Sequence, residues 1–265
     1  MRRLLSSLVL AIGFILVASP ALAQTSATPT ATATVTAAPI VSISDLTQTN
    51  RNTLRAALQA YQAAKATDTV QRMELIQRFI TAQITTRTTA VTKMEDVFNI
   101  GRCKNVDATA KTDVLAQLTA INTNLTTEQQ GITTLTTVDE AKTLSQDVIQ
   151  SNRVFVIAAP AVYGTCASQT VLYVKSSKID PLVIKLKAAG KDTTAMETDL
   201  NLAVTDATAA YTSFLNALKT RSTTPIDLIT TGKSSLTKAR NDLTNAASEA
   251  QKLADSSATA TPTTQ

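Results

Sequence analysis

The feature that most constrains this chain is a repeat of apolar residues at alternating steps of three and four, carried through most of its 265 residues. Ile80, Ile84, Arg87, Val91, Met94 and Phe98 keep the spacing with a single polar interruption. Val114, Leu118, Ile121, Leu125 and Ile132 continue it, as do Met196, Leu200, Val204, Ala207, Tyr211, Phe214 and Leu218. Near the end, Leu236, Leu243 and Ala250 form one line at sevens beside a second line of Ala239, Ala246 and Leu253. A period close to 3.6 gathers such residues on one side of a helix, and a helix with one apolar stripe must bury it against another. The expected fold is all-α: an elongated antiparallel bundle of long helical hairpins with coiled-coil-like spacing.

Composition removes the rival. Only 6 Gly and 7 Pro occur, aromatic residues make up 3%, and Ala is abundant, which favours long helices over sheets. Threonine pulls mildly the other way, because a β-branched side chain loses rotamer freedom in a helix. The run Val171-Leu172-Tyr173-Val174 has strand-like composition, but no second strand pairs with it, so it is read as helix. Helices are expected near 50–65, 68–100, 107–133, 138–158, 161–189, 194–220 and 231–255.

Helix ends carry their own signals. Gly101 and Gly190 stand just past two of them, where a left-handed residue closes the last turn. Thr137 with Glu140, and Thr194 with Glu197, each have the spacing of a capping box. Pro160 separates two apolar runs and predicts a bend or break. Asp180-Pro181 predicts either an N-cap with a first-turn proline or a kink within the fifth helix.

The order Arg87 to Phe98, Lys111 to Ile132, Asn152-Arg153-Val154-Phe155 leading to Pro160, and Leu182 to Asp199 resembles an uncharacterised family. Its members are secreted, Ala/Lys-rich helical-bundle proteins from bacteria with reduced genomes. They share an Arg-apolar-aromatic-to-Pro hinge between long helices and an Ala-Gly-Lys-Asp turn, here Ala189-Gly190-Lys191-Asp192. The likeness runs from about Arg72 to Leu253. This chain departs from it in carrying Thr where the family carries charge, and in its two cysteines. The resemblance implies the helical fold; it carries no activity and transfers no site.

The ends differ from the middle. Arg2-Arg3, an apolar run from Leu4 to Val17 and then Ala21-Leu22-Ala23 have the layout of a secretory signal peptide, cleaved between Ala23 and Gln24. The apolar run is shorter than the ~20 residues of a spanning helix. Residues 24–48 and 256–265 are Thr/Ala/Pro-rich, too poor in apolar surface to offset chain entropy, and are expected to be disordered. The expected organisation is therefore signal peptide 1–23, linker 24–48, helical bundle domain 49–255 and tail 256–265. The expected location is outside the cytoplasm, secreted or in the cell-envelope space, with no stable membrane anchor after cleavage.

Chemistry-bearing residues are sparse. Histidine is absent, which removes the usual general base, the commonest zinc ligand and every Ser-His or Cys-His pair. Gly232-Lys233-Ser234 ends like a phosphate-binding loop, but Asp227 stands where the pattern needs its first Gly. Asp96, Asp107, Asp139, Glu140 and Asp147 show no spacing that singles out an acid–base pair. The Asn124-Leu125-Thr126 sequon has its middle residue on a core stripe. No cofactor or metal is expected.

Cys103 and Cys166 form an even count in an oxidising compartment, which points to one disulfide, with two buried thiols as the alternative. The helix expected at 107–133 runs about 40 Å away from Cys103, and the return over 138–158 covers about 31 Å. Chain beyond Pro160 makes up the remainder and brings Cys166 back.

Net charge is +5 with basic residues scattered among acids, and Trp is absent. A nucleic-acid surface needs a basic stripe with stacking aromatics, so no nucleic-acid partner is expected. The function expected from sequence is a non-catalytic structural or interaction protein: spacer, scaffold or binding module for a protein or envelope partner. The alternative is a soluble extracytoplasmic carrier or chaperone-like protein that holds apolar partners between its helices.

Overall fold

The computed structural model describes residues 43–64, 68–100, 103, 106–223 and 225–258. They form eight α-helices: α1 Ile43–Ala63, α2 Thr69–Ile100, α3 Ala108–Gly131, α4 Val138–Gln150, α5 Ala159–Val174, α6 Asp180–Ala188, α7 Thr194–Lys219 and α8 Ile226–Ala258. Among the described residues there is no strand, and Val171–Val174 is helical. Helix α1 packs along α2, and α2 packs against α3 and α4. A second group joins α7 to α8 with α5 against both. The two groups meet where α3 touches α7 and α2 touches α5.

The stripes are the core. Ile80, Ile84, Val91, Met94 and Phe98 of α2 are buried, as are Val114, Leu118, Ile121 and Leu125 of α3. In α7 and α8 much of the contact is alanine: Ala203, Ala207, Ala210 and Ala217 face a helix that buries Ala239, Ala246, Ala250 and Ala254. Side chains this small allow helix axes to approach toward the short end of the usual 8–10 Å range. One large group interrupts that smooth seam. The Phe214 ring lies between Gly164 of α5 and Gly232 of α8, which meet opposite edges of it. Gly232 is thus an interior helical residue that makes room for a ring.

Threonine fits these helices because its hydroxyl is not left idle. Thr81, Thr85, Thr89, Thr112, Thr123 and Thr237 each donate to the carbonyl four residues back, at 2.8–3.0 Å. The hydroxyl proton is used inside the helix that carries it.

The ends follow local chemistry, with one correction. Asp107 caps α3, accepting from the N–H of Thr109 at 2.9 Å and Ala110 at 3.3 Å. The Thr137–Glu140 capping box forms. The expected Thr194–Glu197 box does not: the helix starts at Thr194, so Glu197 lies one residue too far along to reach back. Asp192 accepts from the Thr194 N–H at 3.0 Å instead, and Glu197 pairs with Lys187 and the Thr193 hydroxyl. Gly190 is left-handed at φ 70°, and a Schellman closure sends the Lys191 N–H to the Leu186 carbonyl and the Gly190 N–H to Lys187.

The largest difference from expectation lies between α4 and α5. The helix expected over 138–158 stops at Gln150, and the turn falls at Asn152-Arg153, ahead of Pro160. Arg153 has φ 40° and ψ 39°, the one described non-glycine residue with positive φ. A wide π turn, Val154–Ala158, follows. Pro160 then sits in the first turn of α5, directly after the π turn, so the helical path continues through it. The device repeats: a second π turn, Lys175–Ile179, ends two residues before Pro181. Asp180 keeps helical angles and no side-chain cap forms, so Asp180-Pro181 is a wide turn inside a continuing helix. Two boundaries also move outward, to Ile43 at the start and Ala258 at the end.

The helical path Val138–Ala188 is long and apolar enough to cross a membrane by length and composition, and 61% of its most apolar window is buried in the bundle. A core helix meets that description.

Candidate functional site

The turn at Asn152-Arg153 gathers most of the buried polar groups of the first helix group. Asn152 is 0% exposed. Its Nδ2 donates to both carboxylate oxygens of Glu128, at 3.2 and 3.0 Å, tying the turn to α3. Its Oδ1 has no partner. Ser145 donates to Gln83 Oε1 at 3.2 Å, tying α4 to α2. Burial raises the Glu128 carboxyl above its ordinary value; the Asn152 hydrogen bond opposes this, Asp147 adds to it, and Arg87 opposes it.

Arg87 is the polar interruption in the α2 stripe, and it is buried at 9% exposure. Burial lowers its pKa and the Glu128 charge resists, so the guanidinium stays charged. Among the described residues it forms no ion pair. It donates one hydrogen bond, from Nη1 to the Gln83 carbonyl at 3.1 Å, and its Nε has no partner. The Phe155 ring lies 5.8 Å from its guanidinium carbon.

Above Arg87 lies a cavity of about 220 Å³, walled by Ile149, Arg153, Val154, Phe155 and Val156. Three of these walls also face solvent: Ile149 at 44%, Phe155 at 39% and Val156 at 58%. Other exposed apolar residues, such as Val70, Ile184 and Leu202, lie elsewhere on the helices. Solitary apolar groups are ordinary on a protein surface; a cluster around a buried cation is not. Its backbone is unusual as well, because a left-handed arginine and a π turn are features that gather at functional sites.

A larger cleft, about 640 Å³, opens between α1 and α2 beside Asn50, Glu74, Gln77 and Arg78. Most of the side chains that line it are polar, and its Thr81 and Thr85 hydroxyls are bonded to their own helix.

The structure joins Cys103 to Cys166 as a disulfide, with Cα atoms 5.3 Å apart and 63 positions between them in sequence. The expected cleavage residues, Ala23 and Gln24, lie outside the described residues. The carboxylates do not converge: Asp107 and Glu140 cap helices, Asp139 pairs with Lys142 at 2.7 Å, and Asp96 and Asp147 are exposed. Among the described residues no group of three His, Cys, Asp or Glu side chains is placed to hold a metal. Sequence reasoning missed the Asn152–Glu128 tie and the cavity; its one visible trace was Arg87 on an apolar stripe. Comparison with protein-family models, with curated proteins and with solved structures finds no match to this chain.

Proposed function

We propose that this chain is an exported, non-catalytic helical interaction protein whose binding face is the turn between α4 and α5. One observation carries the reading: a buried arginine with no direct ion pair among the described residues lines a cavity that has an exposed apolar rim of Ile149, Phe155 and Val156. A charge is normally buried with a partner, because desolvating it alone is costly. The bundle supplies a rigid support, and the Thr/Ala/Pro-rich ends serve as tethers. Export is supported by the leader-like N-terminus and by the disulfide, which is consistent with an oxidising compartment. Absence of His supports a non-catalytic role. The carrier alternative has less support. At 220 Å³ the cavity falls below the ~300–1,000 Å³ of small-molecule sites, and the larger cleft is lined mostly by polar side chains.

Photo-crosslinking in the native cell tests this. A benzoyl-phenylalanine at position 156 should give a discrete adduct, and one at exposed position 202 should give none. Equal labelling at both, or none at either, would remove the proposed face. Intact mass of protein recovered outside the cytoplasm should begin at Gln24; a full-length mass would contradict cleavage.

A further inference from the structure

Arg87 is nine-tenths buried and makes no direct ion pair among the described residues. The only carboxylate that acts on Arg87 is that of Glu128, and Glu128 is held by two hydrogen bonds from Asn152. The cavity above Arg87 is small, about 220 Å³. That is the volume of about seven waters at ~30 Å³ each, or a guest of roughly that many heavy atoms. Besides Arg87, its walls are Ile149, Val154, Phe155 and Val156, with Gln150 and a second cation, Arg153. We propose that this cavity binds a single carboxylate carried on a short apolar group, with Arg87 holding the anion and Ile149, Phe155 and Val156 enclosing the apolar part. The inference rests on the binding face described above and specifies its chemistry.

A guanidinium binds a carboxylate through paired donors, and inside an apolar wall such a contact is stronger than at an open surface. Phe155 stands on the guanidinium at 5.8 Å, so it can keep the cation desolvated while it flanks the guest. The size admits a four- to six-carbon acid or one apolar C-terminal residue, which share the same chemistry. A longer lipid chain would project into solvent.

The test uses the oxidised chain from Gln24 to Gln265, with methyl NMR of Val156 as the readout. Probes are hexanoate, acetate, hexanol, and a Gly-Gly-Leu peptide with either a free or an amidated C-terminus. Hexanoate or the free-acid peptide should shift the Val156 methyls saturably, whereas hexanol and the amidated peptide should not. Arg87→Met should weaken binding about 30-fold or more, the scale for removing one partner of a buried charged contact. The same variant, free of ligand, should melt at or above the wild-type temperature, because it removes a buried charge that has no direct ion pair among the described residues. Phe155→Ala, at a half-exposed position, should keep the fold and abolish the preference for hexanoate over acetate. Tighter binding of the peptide assigns a partner's C-terminus as the source, and tighter binding of hexanoate assigns a free acid. The proposal is overturned if neither acid saturates, if hexanol matches hexanoate, if Arg87→Met binds equally well, or if that variant melts far below wild type. Crosslinking at position 156 that survives Arg87→Met would remove the carboxylate reading while leaving the interaction face in place.

Discussion

Replacing Gly164 by alanine would put a methyl group where the Phe214 ring already is. A Cβ built there falls 2.6 Å from Phe214 Cδ2 and closer still to Cε2 and Cζ, whereas ordinary carbon contacts are about 3.5–4.0 Å. The ring cannot simply slide away, because Gly232 holds its opposite edge: a Cβ on that side would meet Cε1 at 2.8 Å. Relief therefore requires α5 to move off α7, or the ring to leave its rotamer. Overpacking of this kind costs about 1–3 kcal/mol, and three ring atoms at such range argue for the upper part. Alanine returns about 1 kcal/mol in helix propensity, so the net loss should be about 2 kcal/mol. In a domain of this size that lowers the melting temperature by roughly 4–8 °C. Gly131 is the control: its Cβ would meet only Leu144 Cδ2, at 3.9 Å, and it has helical angles. Gly131→Ala should gain stability by up to about 1 kcal/mol. Thermal and urea melts of the oxidised protein measure both. Phe214→Leu in the Gly164→Ala background should recover part of the loss, with a coupling of about 1–2 kcal/mol. If Gly164→Ala is as well tolerated as Gly131→Ala, the ring does not occupy the space assigned to it.

Reduction of Cys103–Cys166 should lower the melting temperature while preserving most of the helical circular dichroism. A bridge across 63 positions contributes about 4 kcal/mol in the chain-entropy treatment; free reactivity of both thiols in the folded protein would contradict the bridge. At Arg153, Gly should be more stable than Val by about 2 kcal/mol in chemical denaturation, because only Gly adopts φ 40° without steric cost. Equal stability of the two would show that the turn is not left-handed. Glu128→Gln should raise stability at pH 7 and lose that advantage as the medium is acidified. The folded Glu128 pKa is raised, so wild-type stability is full below the ordinary carboxyl value of 4.5 and falls as pH rises through the folded value. A gap that widens toward low pH would give the opposite sign and refute burial as the cause.

Much of the fold was legible because burial follows periodicity. Ile80 through Phe98, Val114 through Leu125 and the two lines of α8 could be placed inside from spacing alone, since a helix gives each stripe one direction to face. The turn at Arg153 was not legible. Prolines mark where a helix loses a donor, and Pro160 drew the expected break toward itself. The chain passes Pro160 just after a wide turn and changes course earlier, at left-handed Arg153, beside Asn152, which is bound to Glu128 on another helix. Tertiary ties of that kind leave no mark on local spacing. The capping at Asp192 shows the same limit at smaller scale: the Thr194 N–H expected to go to Glu197 goes to the nearer carboxylate of Asp192. The candidate site was half visible. Arg87 broke an apolar stripe, but what makes it notable is that, buried, it makes no direct ion pair among the described residues.

The bridge also determines how the molecule would carry tension. Cys103 and Cys166 enclose α3, α4 and the Arg153 turn in a covalent ring of chain. A pull on the two ends passes from α2 through the sulfurs into α5, bypassing that ring. Roughly 200 Å of potential extension, at about 3.3–3.6 Å per residue across 63 positions, is thereby hidden from the load. Ile149, Phe155 and Val156 lie on the bypassed segment, and Arg87 lies on the loaded helix. For a protein tethered at its ends, this places most of the cavity wall on slack chain, where stretching the tethers does not draw it taut.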